Sequence, residues 1–561
     1  MTFFNQNILT KTQVTFAYTL LAAFTIAGLF IPLMDNDSGE YALVAMNMAK
    51  NNDYLNIMRK GEDYLDKPHL LFWLSALSMK VFGYTSLAYK LPSVLVAMLG
   101  IYSTTKLGTL LYNKQAGILA GLILGFSQAY IFSNHDVRTD ALLTGLTATA
   151  IYKFVAFSYN NKYRDIIVGS LFLALAVGTK GMVAVFVTGI FIFIHLLYHK
   201  KLKEMFSWKW LSVIFWFFIF LSPFLYCYYL QFDAHPEKIT KGVQGASGVK
   251  FLLWGQSFER LSGQGSMKDN SDFFFFFHTF LWAFLPWAII AYYGLIKETS
   301  TLIKSKLKLT EGYQAAVSFS LIILFLVFSL SQFKLPHYLN ILFPLFAVLT
   351  AQTIVRLVSI NKFKWVTGVL YFFSAIYILA VVAVNGWAFP LNNFLTITIA
   401  KACVALLIYF FAKLPTGPQK SLFMILLVVG FSNLIINLNF YPKLLSYQGA
   451  IPLSEFVKKN KIGTENMVTF MRQRAFAFDY YIEKDLQEKT VDQLLEINRS
   501  SDSIYILTDN FRIAELDTAD VKYRRITTVD DYHVTQLTLP FINPKRRNNE
   551  LDSLILLQAY R

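Results

Sequence analysis

Charge is what this chain lacks first. Only 15% of its 561 residues are Asp, Glu, Lys or Arg, where a soluble domain carries about 25%. A soluble chain of this length divides into roughly three to four domains with charged surfaces. This chain is too apolar for that, at 55% hydrophobic residues and a mean hydropathy of +0.45, and intrinsic disorder is excluded for the same reason. Cysteine is almost absent. Cys227 and Cys403 both sit in apolar runs, which excludes a disulfide framework and a zinc-ligand spacing. What is abundant is aromatic: 17% of the chain, with 53 Phe, as suits a protein whose solvent is largely lipid. The class that remains is a polytopic membrane protein. Its net charge of +16 would point to nucleic acid in a soluble protein. Here basic cytoplasmic loops or an anionic lipid ligand account for it, and no nucleic-acid partner is expected.

A spanning helix needs about 20 mostly apolar residues. Thirteen segments qualify as candidates: 14–34, 86–111, 115–133, 138–158, 164–179, 181–198, 209–230, 274–296, 312–331, 335–357, 363–386, 393–413 and 419–440. The first has no small-residue cleavage site and runs into an acidic segment, so it reads as a retained span. Positive charge orients the set. Lys114, Lys162 with Arg164, the run His199 to Lys203, Lys297 to Lys308, Lys362 with Lys364, and Lys413 with Lys420 all follow even-numbered spans. They share one side if the N-terminus is cytoplasmic.

The opposite, outer side then receives 35–85, a link at 134–138, Lys180, a long loop at 231–273, Ser331 to Pro336, and everything beyond 441. In the first outer loop, 38–50 and 69–82 carry apolar residues on one face and predict amphipathic helices lying in the membrane interface. The tail, 442–561, balances 17 basic against 17 acidic residues, so the excess charge belongs to the membrane part. Strand-like runs at 467–471, 503–508, 523–529 and 532–538, with Asp530-Asp531 as a turn, flank a helix at 491–498 whose start bears a Thr490/Gln493 capping box. The expected fold is an all-α polytopic membrane bundle, 1–441, plus a small C-terminal α/β extracytoplasmic domain, 442–561.

Ionisable residues at the edge of a bilayer need a reason. The outer side gathers Asp35, Asp37 and Glu40 after the first span; Asp66-Lys67-Pro68-His69; Asp136, Arg138 and Asp140; Lys180-Gly181; Arg260; and Lys334, His337 and Tyr338. One lysine alone is a snorkelling side chain, and one aspartate alone is simply solvated. Several of both signs at one leaflet suit chemistry on a lipid head group, where cations hold a phosphate and a carboxylate acts as base. A transporter, the alternative, places its charges nearer the midplane, on broken helices. Asp66, His69 and the Asp35/Asp37 pair could supply ligands to a divalent ion, at a spacing that is not diagnostic.

Certain motifs in this pattern are familiar. Asp37-x-x-Glu40-Tyr41-Ala42, the stretch Gly61 to Leu74 with Asp66-Lys67-Pro68-His69 inside it, Arg138-x-Asp140, Lys180-Gly181 and Lys334-Leu335-Pro336-His337-Tyr338-Leu339 together resemble the GT-C glycosyltransferases related to bacterial lipid A aminoarabinose transferase and to protein O-mannosyltransferases. The resemblance implies a sugar donor carried on polyprenyl phosphate. It implies transfer with inversion to a lipid, glycan or protein acceptor at the outer face of the inner membrane. It implies catalytic roles for Asp37 and Asp140, and donor-phosphate contacts from Lys67, Arg138, Lys180, Lys334, His337 and Tyr338. Glu40, Asp66, His69 and Arg260 are further candidates. Beyond the donor lipid and a divalent ion, no cofactor is implied. The chain departs from the aminoarabinose-type pattern in carrying Glu40 where Arg is usual and Asp66 where Glu is usual, which weakens the case for an anionic acceptor. The first outer loop and the tail are each available for contacts between chains.

Overall fold

The computed structural model describes residues 8–35, 37–259, 272–310, 312–500 and 503–560. Helical segments stand at all thirteen expected positions. The first ten helices are α1 (Lys11–Leu29), α2 (Asp37–Asn51), α3 (Leu70–Phe82), α4 (Ser86–Leu111), α5 (Lys114–Gly125), α6 (Gln128–His135), α7 (Thr139–Asn160), α8 (Tyr163–Lys180), α9 (Val183–Tyr198) and α10 (Trp208–Tyr228). Among the described residues eight helices are long and apolar enough to cross a membrane, or nine if α5 and α6, bent by 53°, count as one. The chain is therefore an integral membrane protein.

Two expected spans are broken, each for a local reason. The third divides where Ser127 takes an extended conformation at the start of α6. The eighth divides into Phe275–Ala283 and Ala288–Lys304, around Pro286, which has no amide hydrogen to donate. Small residues let the central helices close up: a Cβ on Gly100 of α4 would lie 2.8 Å from the Gly145 Cα of α7. Close backbone approach is how helices associate where lipid offers no hydrophobic drive.

The first outer loop holds the two expected helices. Between them runs a hairpin of β1 (Met58–Arg59) and β2 (Glu62–Asp63). α3 exposes Leu77, Val81 and Phe82. α2 differs from expectation. Almost all of it from Ser38 to Ala49 is buried, because the C-terminal unit lies over it.

That unit contains a four-stranded sheet of order β5-β6-β8-β7, formed by β5 (Met467–Phe470), β6 (Ser503–Asp509), β7 (Tyr523–Asp531) and β8 (Asp552–Tyr560). β5 and β6 are parallel, and β8 runs antiparallel to both β6 and β7. The expected helix is Val491–Ser500, and Thr490 and Gln493 exchange the two bonds of the capping box, at 3.1 and 3.4 Å. The expected strand at 532–538 does not form. Tyr532 instead stacks on Phe541, 3.6 Å between ring centroids. Asp530 and Asp531 are not a turn; they finish β7, opposite Ser553 and Asp552.

The C-terminal unit is fastened to the loop after α1. Gln448 accepts the Asp35 amide at 3.0 Å and donates to the Leu33 carbonyl at 3.0 Å. The Tyr481 hydroxyl accepts the Leu33 amide at 2.7 Å, and Asp35 accepts the Ala477 amide at 2.7 Å. Lys60 at the β1–β2 turn pairs with buried Asp479, and Asn47 of α2 donates to Asp485 at 2.7 Å.

Candidate functional site

The charged residues gather at the end of the bundle that carries the sheet. Asp37 opens α2, where acidic side chains favour a helix N-terminus. Its Oδ2 lies 2.9 Å from a terminal nitrogen of Arg138. Arg138 occupies the N-cap position of α7, and its remaining nitrogens reach Asp136 Oδ2 at 2.8 and 2.9 Å. The two carboxylates hold that guanidinium protonated, Asp136 acting more strongly than Asp37.

One turn inward, Asp140 sits in the first turn of α7 and is buried. It takes the Lys180 ammonium on Oδ1 at 2.7 Å, and His337 Nε2 stands 3.8 Å from Oδ2. Lys180 ends α8 and lies over the Tyr338 ring, 4.6 Å from its centroid. Gly181 follows at φ +73°, the left-handed region that favours glycine, and a Cβ there would fall 2.9 Å from Gln256 Cγ. A glycine after Lys180 thus serves both the turn and the close packing of the long loop.

Lys67 pairs with Asp66 and faces the Tyr41 ring at 5.9 Å, and Lys241 approaches Asp66 at 3.6 Å. Glu40 meets Arg59 at 2.5 Å. Burial raises the Glu40 carboxyl above its usual range, opposed by that arginine. The Arg138–Asp37 and Asp140–Lys180 pairs are joined through α7, which Arg138 caps and whose first turn carries Asp140. Lys334, just before His337 in sequence, is buried.

Other candidates lie elsewhere. His69 is fully buried with Nε2 on the Leu55 carbonyl at 2.9 Å, packed between Trp73 and Tyr228. Burial lowers its pKa to about 4, so it is a neutral packing residue. Arg260 lies outside the described residues. Among the described residues no three His, Cys, Asp or Glu side chains converge to hold a metal ion. Asp35, a suggested ligand, is committed to the seam with the C-terminal unit, and His69 to Leu55.

Beside Asp140 and Lys180 opens a cleft of about 110 Å³, lined by Leu143, Val183, Phe186, Phe276, Phe328 and Ile341 and by Tyr338, Ser331 and Gln256. An apolar trough ending on an ion pair suits an amphiphile with a long hydrocarbon and an anionic head. Sequence reasoning missed Arg59 and Gln256. Arg59 sits in a run of mixed charge, Met58 to Asp63, that carried no motif; the hairpin alone brings it to Glu40.

Fold and site together define a polytopic membrane protein with a mixed-charge chamber at one end of the bundle, a lipid-shaped cleft leading into it and an α/β unit above. The comparisons with known proteins agree. Residues 66–227 match the family model described as dolichyl-phosphate-mannose-protein mannosyltransferase. The chain is 25% identical over 360 residues to an uncharacterized protein of Aquifex aeolicus, covering 63% of this chain and 65% of that one. It is 24% identical over 366 residues to the undecaprenyl phosphate-alpha-4-amino-4-deoxy-L-arabinose arabinosyl transferase of Aeromonas salmonicida, covering 63% of each. The chain thus spans a little under two thirds of these relatives' length. In fold it is similar to the crystal structure of ArnT from Cupriavidus metallidurans bound to undecaprenyl phosphate, with a TM-score of 0.73, 15% identity and 97% of both chains covered. The chain resembles the GT-C glycosyltransferases of the aminoarabinose-transferase and protein-mannosyltransferase kind, as its motifs indicate.

Proposed function

We propose that this protein is an integral-membrane glycosyltransferase that moves a sugar from a polyprenyl-phosphate donor to a lipid, glycan or protein acceptor. One observation carries the reading: the apolar cleft is lined by the Asp140–Lys180 pair, and Arg138, held by Asp37, caps the helix that carries Asp140. The relatives' names, with arabinosyl and mannosyl transfer from undecaprenyl or dolichyl phosphate, support the donor class.

In this reading the lipid lies in the cleft and its phosphate meets Lys180, Lys67 and Arg138. Negative charge grows on that phosphate as the glycosidic bond breaks, and cations fixed around it stabilise the transition state. Lys180 has three donors, so it holds Asp140 and still serves the phosphate. Asp37 takes the proton of the acceptor hydroxyl, whose oxygen bonds to the anomeric carbon opposite the phosphate as the bond to the lipid phosphate breaks, so that the carbon is inverted and the lipid phosphate leaves. A phosphate acceptor needs no base. Thirteen crossings, a cytoplasmic N-terminus and a periplasmic C-terminal unit in the inner membrane complete the reading. The transporter alternative is not retained, because the relatives the chain matches are named as sugar transferases.

The test is transfer by purified protein from radiolabelled polyprenyl-phosphate sugars to a crude envelope extract, with Asp37→Asn in parallel. Label moved by the wild type and not the variant is expected. No label moved across a broad donor panel would refute the proposal.

A further inference from the structure

Gln256 is buried, 3% exposed, and neither its Nε2 nor its Oε1 has a hydrogen-bond partner. Leaving such groups unsatisfied is destabilising, because each has given up its hydrogen bonds to water and gained none in return. The side chain is not there by default of space, because an unbranched apolar residue such as Met would fill the same volume at no such cost. Nor is it loosely placed. Its Cγ packs on Gly181, next to Lys180, and its neighbour Ser257 accepts the Val183 amide at the start of α9 at 3.2 Å. Gln256 is one of the residues that line the cleft, with Asp140, Lys180, Ser331 and Tyr338, and its amide is sealed behind that wall.

An amide offers two donors and an acceptor oxygen. A bare phosphate monoester dianion can satisfy the NH₂ but brings no hydrogen for the carbonyl oxygen. A phosphate joined to a sugar brings both, acceptor oxygens on the phosphate and hydroxyl or amino hydrogens on the sugar. We infer that Gln256 is a specificity-determining residue that distinguishes the sugar-loaded lipid phosphate from the spent carrier, using both ends of its amide on the sugar-phosphate linkage. This rests on the donor class proposed above and deepens it. It also supplies a reason for turnover: after transfer the carrier loses the groups that paired with the amide, and its hold on the cleft weakens.

The experiment measures binding to the full chain in nanodiscs by undecaprenyl phosphate, bare or bearing 4-amino-4-deoxy-arabinose or mannose. Wild type, Gln256→Met and Gln256→Glu are compared, and each protein is melted without lipid. The wild type should bind at least one loaded lipid more tightly than the bare one. Gln256→Met should melt no lower than wild type, weaken the bare lipid by a few-fold through the lost contact to the phosphate, and lose about 10- to 100-fold for the loaded lipid, the scale of one or two hydrogen bonds to charged or polar partners. Gln256→Glu keeps the acceptor that pairs with the sugar's hydrogens and loses both donors to the phosphate, so it should bind both lipids more weakly and still prefer the loaded one; loss of that preference would overturn the inference even if Gln256→Met folds poorly. Equal binding of loaded and bare lipid by the wild type, or equal loss for both in Gln256→Met, would overturn the inference while leaving the donor class standing. A wild type that binds no lipid at all overturns the donor class, and this inference with it.

Discussion

At the residue scale, two ion pairs divide the chemistry. Asp37 is 39% exposed in its side chain and is held by one arm of Arg138, whereas Asp140 is 5% exposed and depends on Lys180. The first can reach a substrate; the second is shut in. Asp37→Asn should therefore lower transfer by about 100-fold or more, the usual worth of a general base, with membrane yield and melting temperature unchanged, since Asp136 still holds Arg138. Lys180→Met should behave differently. It strands a buried carboxylate, at a cost of about 3 kcal/mol, read as a lower melting temperature. Adding Asp140→Asn should restore most of that stability while activity stays lost, and a double-mutant cycle on melting and on transfer separates the two. If the double variant melts no better than Lys180→Met alone, the pair is not the local unit the geometry describes. These residues were legible in the sequence because charge is rare there, so each charged group near a span end stood out. Their pairing was not legible: Asp136, Asp37 and Arg138 form a three-membered chain only because α2 and α7 begin side by side. Gln256, uncharged and inside an apolar loop, gave no such signal.

At the element scale, the loop after α1 serves both the site and the C-terminal unit within a few residues. Asp37 turns to Arg138, and Asp35 turns away to cap the Ala477 amide at the start of helix Phe476–Tyr481. Burial pushes the Asp35 carboxyl up to about 8, with the Ala477 bond opposing and the Asp531 and Asp479 carboxylates adding to the rise. The folded chain therefore binds this proton more tightly than the unfolded chain does. The stability it contributes is full below about pH 4 and is lost as pH rises through about 8, roughly 1 kcal/mol of it between pH 7 and 9. Asp531 titrates in the same direction, raised mainly by burial. Asp35→Asn keeps an acceptor for Ala477 and removes the titration. The fall in melting temperature from pH 7 to 9 should be smaller in the variant than in wild type, and an identical fall in both would show that Asp35 does not set the seam. The same loop shows why α2 was misjudged. Its amphipathic pattern fits an interface helix, but the pattern cannot say that Lys60, Asn47 and Asp35 would bring a second unit down upon it. In the tail, alternation at 532–538 imitated a strand. The true fourth strand was β8, a nearly continuous apolar run from Leu554 to Leu557 buried between β6 and β7; a central strand reads that way, without alternation.

At the scale of the whole molecule, the distribution of charge makes a claim about sidedness that the helices alone do not. In the proposed topology the basic residues in the loops after even-numbered spans face one way, and the site with its α/β unit faces the other. Broken helices α5–α6 and Phe275–Ala283/Ala288–Lys304 do not disturb this, because each pair still carries the chain from one loop set to the next. The two native cysteines are buried, so single cysteines can report sidedness against a quiet background. Lys203 and Lys459 are both exposed, the first in a basic loop and the second in the C-terminal unit. In intact spheroplasts, a membrane-impermeant maleimide should modify Lys459→Cys and spare Lys203→Cys, and lysis should open Lys203→Cys to the same reagent. Modification of both in intact spheroplasts, or of Lys203→Cys alone, would reverse or abolish the orientation. The chemistry would then have to be rethought, for a donor presented to the chamber must stand in the leaflet on which Lys180, Lys67 and Arg138 open. Only the arrangement with Lys459 outside lets one lipid phosphate meet these cations while its acceptor approaches from the cell envelope.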